Sequence, residues 1–214
     1  MAERNQDEAS GLLQEIFSSR MRAAVLRQML PRPHLRYSLT ELSRLLGLPI
    51  SSLQHECYKL ERIALLKGRR EGNTRRYEVA RDFILYRPLT RLVTAAIGPE
   101  AALQAGLEAV SGLETAFLAG DIPPEPGGAP ARLVLIGDVP LEEIDAIQER
   151  ATLAVNAACE EIETVFYRPD DWQARLDQGS AYATSLLNGP RIDLIGGPAG
   201  QSAESEAVSG ANPS

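Results

Sequence analysis

The first apolar pattern along the chain has the period of a helix. Between residues 12 and 30 the apolar side chains recur three or four positions apart, which predicts one amphipathic helix. They are Leu12, Leu13, Ile16, Met21, Val25, Leu26 and Met29. Pro31 and Pro33 end this helix, because proline lacks an amide hydrogen and restricts the residue before it.

Two shorter helices follow, with a turn between them. Residues Ser38 to Glu41 have the S-x-x-E pattern of a capping box and predict the start of a helix that Gly47 ends. Another helix is predicted from Ser51 to about Ile63, with one apolar face formed by Leu53, Cys57 and Leu60. Two helices joined by a short turn that contains glycine are typical of a helix-turn-helix.

A hairpin is predicted immediately after these helices. Two short extended segments in residues 67–80 flank Glu71-Gly72-Asn73, a cluster of turn-forming residues. Residues 83–110 again have a helical pattern, interrupted at Gly98-Pro99. We place a domain boundary there and expect the first domain to span residues 12–97.

The second half of the chain alternates between strand and helix patterns. Four strands are predicted, at residues 114–120, 131–138, 163–167 and 191–195, with helices at residues 141–157, 170–176 and 182–187. This alternation predicts a small α/β domain over residues 100–198, so the whole chain is assigned to the α+β class. Residues 123–130 are rich in proline and glycine and predict a loop, and residues 199–214 predict a disordered tail.

Charge divides the chain in the same way. The full sequence of 214 residues has a net charge of −7, which by itself argues against a nucleic-acid partner. Residues 12–98, however, contain 16 basic and 7 acidic residues, a net charge of +9, whereas residues 99–198 contain 5 basic and 17 acidic residues, a net charge of −12. A basic first domain and an acidic second domain are therefore predicted.

Several classes of protein are disfavoured. The polar N-terminus has no apolar segment typical of a signal peptide, and no apolar run is long enough to span a bilayer, so we expect a cytoplasmic protein without a membrane partner. The two cysteines, Cys57 and Cys159, and the two histidines, His34 and His55, have no metal-ligand spacing. We therefore expect no metal and no cofactor, with Cys57 in the core and His34 in a loop.

The helix-turn-helix and basic hairpin together resemble the winged-helix transcription regulators of the ArsR type. The resemblance covers about residues 12–95 and implies double-stranded DNA as the partner. The metal-sensing role of some ArsR-type regulators is not implied, since the predicted recognition helix lacks closely spaced cysteines. Polar and basic residues facing outward from that helix and from the hairpin are the expected DNA contacts. They are Ser51, Ser52, Gln54, His55, Tyr58, Lys59, Lys67, Arg69, Arg70, Asn73, Thr74, Arg75 and Arg76.

Residues 100–198 resemble a small nucleotidyltransferase-like domain. In that superfamily a Gly-Ser turn binds the nucleotide phosphates and a D-x-D pair binds the metal ions. Here Asp121 follows Gly120, and Pro130-Ala131-Arg132 stands where the acidic pair belongs. An arginine repels Mg²⁺, which prefers carboxylate oxygens. We therefore expect a catalytically degenerate domain, with no catalytic residues.

These observations predict a DNA-binding transcription regulator, a homodimeric repressor, and not an enzyme. The acidic domain is expected to serve dimerisation, ligand sensing or contact with a protein partner. The alternative is a nucleotidyltransferase or antitoxin-like protein that modifies or binds a protein or RNA. Within the second domain, Asp170 and Asp171 are expected to begin a helix, with Trp172 packed in the core.

Overall fold

The computed structural model describes residues 2–120, 131–155 and 162–196, with side chains from Glu8 onward. Its helices and strands form a mixed α/β structure, in agreement with the predicted class. In chain order they are α1 (Ala2–Phe17), α2 (Arg20–Met29), β1 (Tyr37–Ser38), α3 (Leu39–Leu46), α4 (Ile50–Arg62), β2 (Leu66–Glu71), β3 (Thr74–Val79), α5 (Tyr86–Ile97), α6 (Pro99–Leu107), β4 (Leu113–Ala119), β5 (Ala131–Gly137), α7 (Leu141–Val155), β6 (Ile162–Tyr167), α8 (Pro169–Asp177), α9 (Ala181–Asn188) and β7 (Arg191–Ile195).

The chain forms two compact units, whose limits differ from the boundary predicted at Gly98-Pro99. The first unit is Met1–Val110 with Leu141–Ile162, and the second is Ser111–Pro140 with Glu163–Ser214. Helices α6 and α7, predicted in the second domain, therefore belong to the first unit.

Buried hydrogen bonds join α7 to the helices of the first unit. Arg150 donates from Nε to the carbonyl oxygen of Gly106 at 2.7 Å, and the hydroxyl of Thr94 donates to the carbonyl oxygen of Leu153 at 2.9 Å. With α7 included, the sequence of this unit contains 18 basic and 18 acidic residues. A positive surface on this unit must therefore come from the local arrangement of charges.

The prediction of a single helix over residues 12–30 is wrong, because the chain forms two helices there. Ser18 has φ of +49°, in the left-handed region, which ends α1. Ser19 then caps α2, its hydroxyl accepting a hydrogen bond from the amide of Arg22 at 3.2 Å. The apolar period continues across this break, so periodicity alone does not reveal it.

The predicted capping box and turn are confirmed. Ser38 accepts a hydrogen bond from the amide of Glu41 at 3.2 Å, and Glu41 accepts one from the amide of Ser38 at 2.7 Å. These contacts, together with a hydrogen bond from Arg76, lower the pKa of the Glu41 carboxyl. Gly47 ends α3 with φ of +64°, a conformation that costs glycine little.

The predicted hairpin is also confirmed. β2 and β3 are antiparallel with Glu71 opposite Thr74, joined by the two-residue turn Gly72-Asn73. β1 pairs with the other edge of β3, which gives a three-stranded sheet in the order β1-β3-β2. The sheet packs with α1, α2, α4 and α5 around one core, whose largest fully buried side chains include Leu13, Leu26, Met29, Leu30, Leu42, Leu53, Leu65 and Leu66.

The second unit contains a four-stranded sheet in the order β6-β5-β4-β7. β4 is antiparallel to both β5 and β7. The four strands and the two helices α8 and α9 lie within a few residues of the predicted segments. The predicted loop at 123–130 and the predicted tail at 199–214 lie outside the described residues.

Candidate nucleic-acid interface

Helix α4 has one buried and one exposed face, as its apolar pattern predicts. Leu53, Cys57 and Leu60 are buried in the core of the first unit. Among the predicted DNA contacts on this helix, Ser51, Gln54, His55 and Tyr58 are exposed, whereas Ser52 and Lys59 are half-buried. The exposed fraction of Tyr58 is 60%, a high value for an aromatic residue and one that leaves its ring available to a partner.

Cys57 is a core residue. It is fully buried, and this burial raises the pKa of its thiol to about 12, with Glu56 and Glu61 adding to the effect. The thiol is therefore protonated at neutral pH, and a thiol in that state is a poor metal ligand and a poor nucleophile.

The sequence pattern did not reveal that Glu56 is buried as well. Its exposed fraction is 4%, and its Oε1 lies 2.7 Å from Nε of Arg22 on α2. A buried carboxylate requires such a partner. The ion pair therefore fixes the orientation of α4 against α2, and with it the direction in which the exposed face points.

The two faces of the β2–β3 hairpin differ in their neighbours. Side chains alternate between faces along a strand, and the register assigns each residue to one of them. The face that continues into the core, here called the inner face, carries Leu66, Gly68, Arg70, Arg75, Tyr77 and Val79. The opposite side, called the outer face, carries Lys67, Arg69, Glu71, Thr74, Arg76 and Glu78.

On the outer face every cation has an acidic partner. Lys67 bonds to Asp82, and Arg69 lies 3.2 Å from Glu78. Arg76 reaches both Glu41 at 3.1 Å and Glu71 at 3.4 Å, and Arg36 beside it reaches both Glu71 at 2.9 Å and Glu78 at 2.6 Å. These hydrogen bonds raise the pKa of Arg36. Glu71 and Glu78 belong to the hairpin itself, and folding brings Glu41 and Asp82 to it as well.

On the inner face Arg75 is held by α4. Its Nη2 lies 2.5 Å from Oε1 of Glu61, and its guanidinium lies over the ring of Tyr77, 5.7 Å from the centroid. The hydrogen bond that Arg75 donates to Glu61 raises the pKa of Arg75. The same carboxylate oxygen accepts a hydrogen bond from the amide of Gly68 at 3.2 Å. Glu61, Gly68 and Arg75 are called the Glu61 clasp below.

Arg70 differs from the other hairpin cations. It lies directly opposite Arg75 on the inner face and is exposed, and it forms no ion pair with any residue that the structure describes. Asn73 in the turn and Thr74 beside it are exposed at the tip. The predicted site residues therefore lie on α4 and on both faces of the hairpin. The cations of the hairpin differ in whether an acidic side chain pairs with them.

The sequence analysis did not include Arg62, which belongs to this surface. It is exposed at the end of α4 and forms no ion pair within the described part of the chain. Arg62 lies four positions after Tyr58 and seven after His55, so it continues the same exposed side of the helix. This spacing was the signal that could have identified it.

Sequence analysis predicted no catalytic residue in the second unit and found Arg132 where the acidic pair would belong. Arg132, in β5, pairs with Glu163 at 2.8 Å and lies over the ring of Tyr182. Asp121 and Glu125 lie outside the described residues, and within the described ranges no three His, Cys, Asp or Glu side chains converge as a metal site. Trp172 is buried against Phe117 and Tyr167, as expected for a core residue.

Within the described ranges, no helix has both the length and the apolar character needed to cross a membrane. No protein-family model, curated protein or solved structure matches the chain.

Proposed function

We propose that this protein is a winged-helix transcription regulator that binds double-stranded DNA through α4 and the β2–β3 hairpin. The element order from α2 to β3, with a three-residue turn between α3 and α4, supports this proposal because it is the order of a helix-turn-helix followed by a wing. One observation carries it: the side of α4 away from the core presents four polar side chains, Ser51, Gln54, His55 and Tyr58, beside the exposed Ile50.

The chemistry of that face suits the major groove of B-DNA. The groove is about 12 Å wide and admits one α-helix. The amide of Gln54 can form two hydrogen bonds with adenine, and the side chains of Ser51, His55 and Tyr58 can bond to phosphates or to base edges. Arg62 adds a positive charge at the end of the helix. This surface combines groups that position the protein with groups that read sequence.

A second copy of the chain is the proposed partner. Along α5 an exposed apolar stripe contains Leu85, Pro88, Leu92 and Ala95, and Leu12 and Ile16 are exposed on α1, which packs against α5. Regulators of this kind commonly bind as two-fold dimers to two half-sites. We propose that this two-helix surface forms the dimer interface, and that the dimer represses transcription by occupying its operator.

Selection of bound genomic fragments by the purified protein tests the DNA-binding proposal. The expected result is a reproducible inverted repeat, retained at low salt and lost when Gln54 and Tyr58 are both replaced by alanine. Absence of any retained fragment at low ionic strength would show that the chain is not a DNA-binding protein.

Sedimentation of the Leu92→Glu variant as a monomer, against a dimeric parent, would support the proposed interface.

For the second unit we propose a role without catalysis, in dimerisation, sensing or protein contact. The observation that favours this role is the Arg132–Glu163 pair, which puts a guanidinium near the start of β5, where the resemblance calls for a metal-binding carboxylate. Incubation with labelled nucleoside triphosphates and Mg²⁺ or Mn²⁺ tests it. Label transferred to the chain or to a co-purified protein, and lost on replacing Asp138, would instead support the nucleotidyltransferase.

A further inference from the structure

The hairpin is electrically neutral on one side and positive on the other. At the outer face, four cations (Arg36, Lys67, Arg69 and Arg76) meet four carboxylates (Glu41, Glu71, Glu78 and Asp82). At the inner face there are two cations, Arg70 and Arg75, and one carboxylate, that of Glu61, which pairs with Arg75. Since phosphate binding responds to net local charge, the two sides of the hairpin are not equivalent for a nucleic acid.

The positive side of the hairpin faces the polar side of α4 that contains Gln54 and Tyr58. On a helix, residues four and seven positions apart lie along one side, so Gln54, Tyr58 and Glu61 share a line. Glu61 contacts Gly68 and Arg75 of the hairpin. Gln54 and Tyr58 therefore lie nearer to the wing than His55 and Lys59, which come further round the helix.

We propose that DNA binds across the exposed side of α4 and the inner face of the hairpin tip, and that Arg70 is the wing residue that binds its phosphate backbone. This inference rests on the proposed function and specifies which side of the wing contacts the DNA. Gln54 and Tyr58 then face the bases from α4 while Arg70 faces the adjacent backbone from β2. The outer face, although it contains more arginines, stays out of the complex.

Arg75 has a different role because the Glu61 clasp restrains it. The space beside Gly68 is filled by this clasp: a Cβ at that position would lie 2.6 Å from Oε1 of Glu61 and 2.7 Å from Nε of Arg75. Glu61 is thus a positioning residue, which holds the hairpin against the end of α4 and leaves Arg70, on the neighbouring strand, exposed on the same face. The absence of a side chain at residue 68 permits this close approach.

Two neighbouring arginines provide a matched test. Arg69 and Arg70 are consecutive on β2 and both exposed, but they lie on opposite faces, and only Arg69 has an ion-pair partner in the structure. DNA affinity of the full-length protein is measured between 50 and 200 mM salt for the parent, Arg70→Ala and Arg69→Ala. Loss of one phosphate contact lowers the slope of log affinity against log salt by about one. This loss is expected for Arg70→Ala and not for Arg69→Ala.

A conservative variant and the parent protein make the result decisive. Arg70→Lys keeps the charge and is expected to keep the parental slope, whereas a purely structural role for Arg70 would not be rescued in this way. Equal loss for both alanine variants, or loss for Arg69→Ala alone, would overturn the inference while leaving DNA binding intact. If the parent itself does not bind DNA, it is the proposed function that fails.

Discussion

Glu61 and Arg75 join helix α4 to the β2–β3 hairpin through one carboxylate oxygen. Oε1 of Glu61 lies 2.5 Å from Nη2 of Arg75 and accepts a hydrogen bond from the amide of Gly68, so both strands of the hairpin are tied to the end of α4. The side chain of Arg75 is 55% exposed, so water weakens the ion pair. The contact therefore has more effect on the position of the hairpin than on the stability of the fold.

Gly68→Ala is expected to break this contact without unfolding the protein. The new Cβ displaces the ends of two flexible side chains and no backbone atom, so the free energy of unfolding should fall by at most about 1 kcal/mol, the value of an exposed ion pair. Urea unfolding measures this change. Amide exchange in β2 and β3 should become faster, because the hairpin is no longer tied to α4.

A double-mutant cycle identifies the cause of that change. If Gly68→Ala acts by breaking the Glu61–Arg75 pair, its effect and that of Arg75→Ala will not add, since both remove the same interaction. Full additivity of the two changes in unfolding free energy would show that the new methyl group acts elsewhere.

Gln54 and Tyr58 are expected to determine sequence preference. Both are exposed on the wing side of α4 and neither carries a charge. Replacing either by alanine should therefore reduce the discrimination between the preferred base and other bases at a contacted position by about 1–3 kcal/mol. The salt dependence should stay as in the parent, because no phosphate charge is lost. Affinities for an operator and its single-base variants measure this effect.

The elements that sequence analysis predicted best depend on neighbouring residues. The capping box of Ser38 and Glu41 spans three positions, and the Gly72-Asn73 turn two, so local chemistry determines both. The apolar side of α4 likewise follows from helical spacing alone. Such features are visible in the sequence because all the interacting groups lie within a few residues.

What the sequence did not predict depends on distant residues. Glu61, the partner of Arg75, lies 14 positions away, and Glu41, one of the two partners of Arg76, lies 35 positions away, so the sequence alone overestimates the net positive charge of the hairpin. Similarly, the bond from Thr94 to Leu153 spans 59 positions and keeps α7 in the first unit. A count of charges along the chain cannot reveal these pairs, and this is why Arg70 could not be distinguished from the other arginines.

Arg22→Ala is expected to destabilise the protein strongly. The change leaves the carboxylate of Glu56, whose side chain is 5% exposed, without its partner at 2.7 Å. An unpaired charge in a protein interior costs about 3–5 kcal/mol, so the free energy of unfolding in urea should fall by an amount near the lower end of that range, since Arg22 itself is 36% exposed.

Arg20→Ala is the matched control for this loss. Arg20 is exposed two positions earlier on α2 and forms no ion pair within the described ranges, so its removal should change stability by less than about 0.5 kcal/mol. Adding Glu56→Gln to Arg22→Ala should restore part of the stability, because it removes the buried charge. Equal effects of Arg20→Ala and Arg22→Ala would contradict the role assigned to the pair.

Acidification is expected to destabilise the first unit through His34. Burial lowers the pKa of this imidazole below its usual value of 6.5, although a hydrogen bond with the carbonyl oxygen of Glu108 opposes the shift. The folded protein therefore binds a proton at His34 less readily than the unfolded chain does. The contribution of the neutral His34 side chain to the free energy of unfolding is fully present above pH 6.5. It is lost as the pH falls below that value, until the folded-state pKa is reached.

The two histidines of the chain allow this prediction to be isolated. Urea unfolding at pH 7.5 and pH 5.5 measures the dependence, which His34→Gln should reduce because glutamine does not titrate. His55→Gln removes the other histidine, which is exposed on α4, and should leave the dependence on pH as it is in the parent. A parental pH dependence in His34→Gln would show that other groups, such as the carboxylates, account for the acid sensitivity.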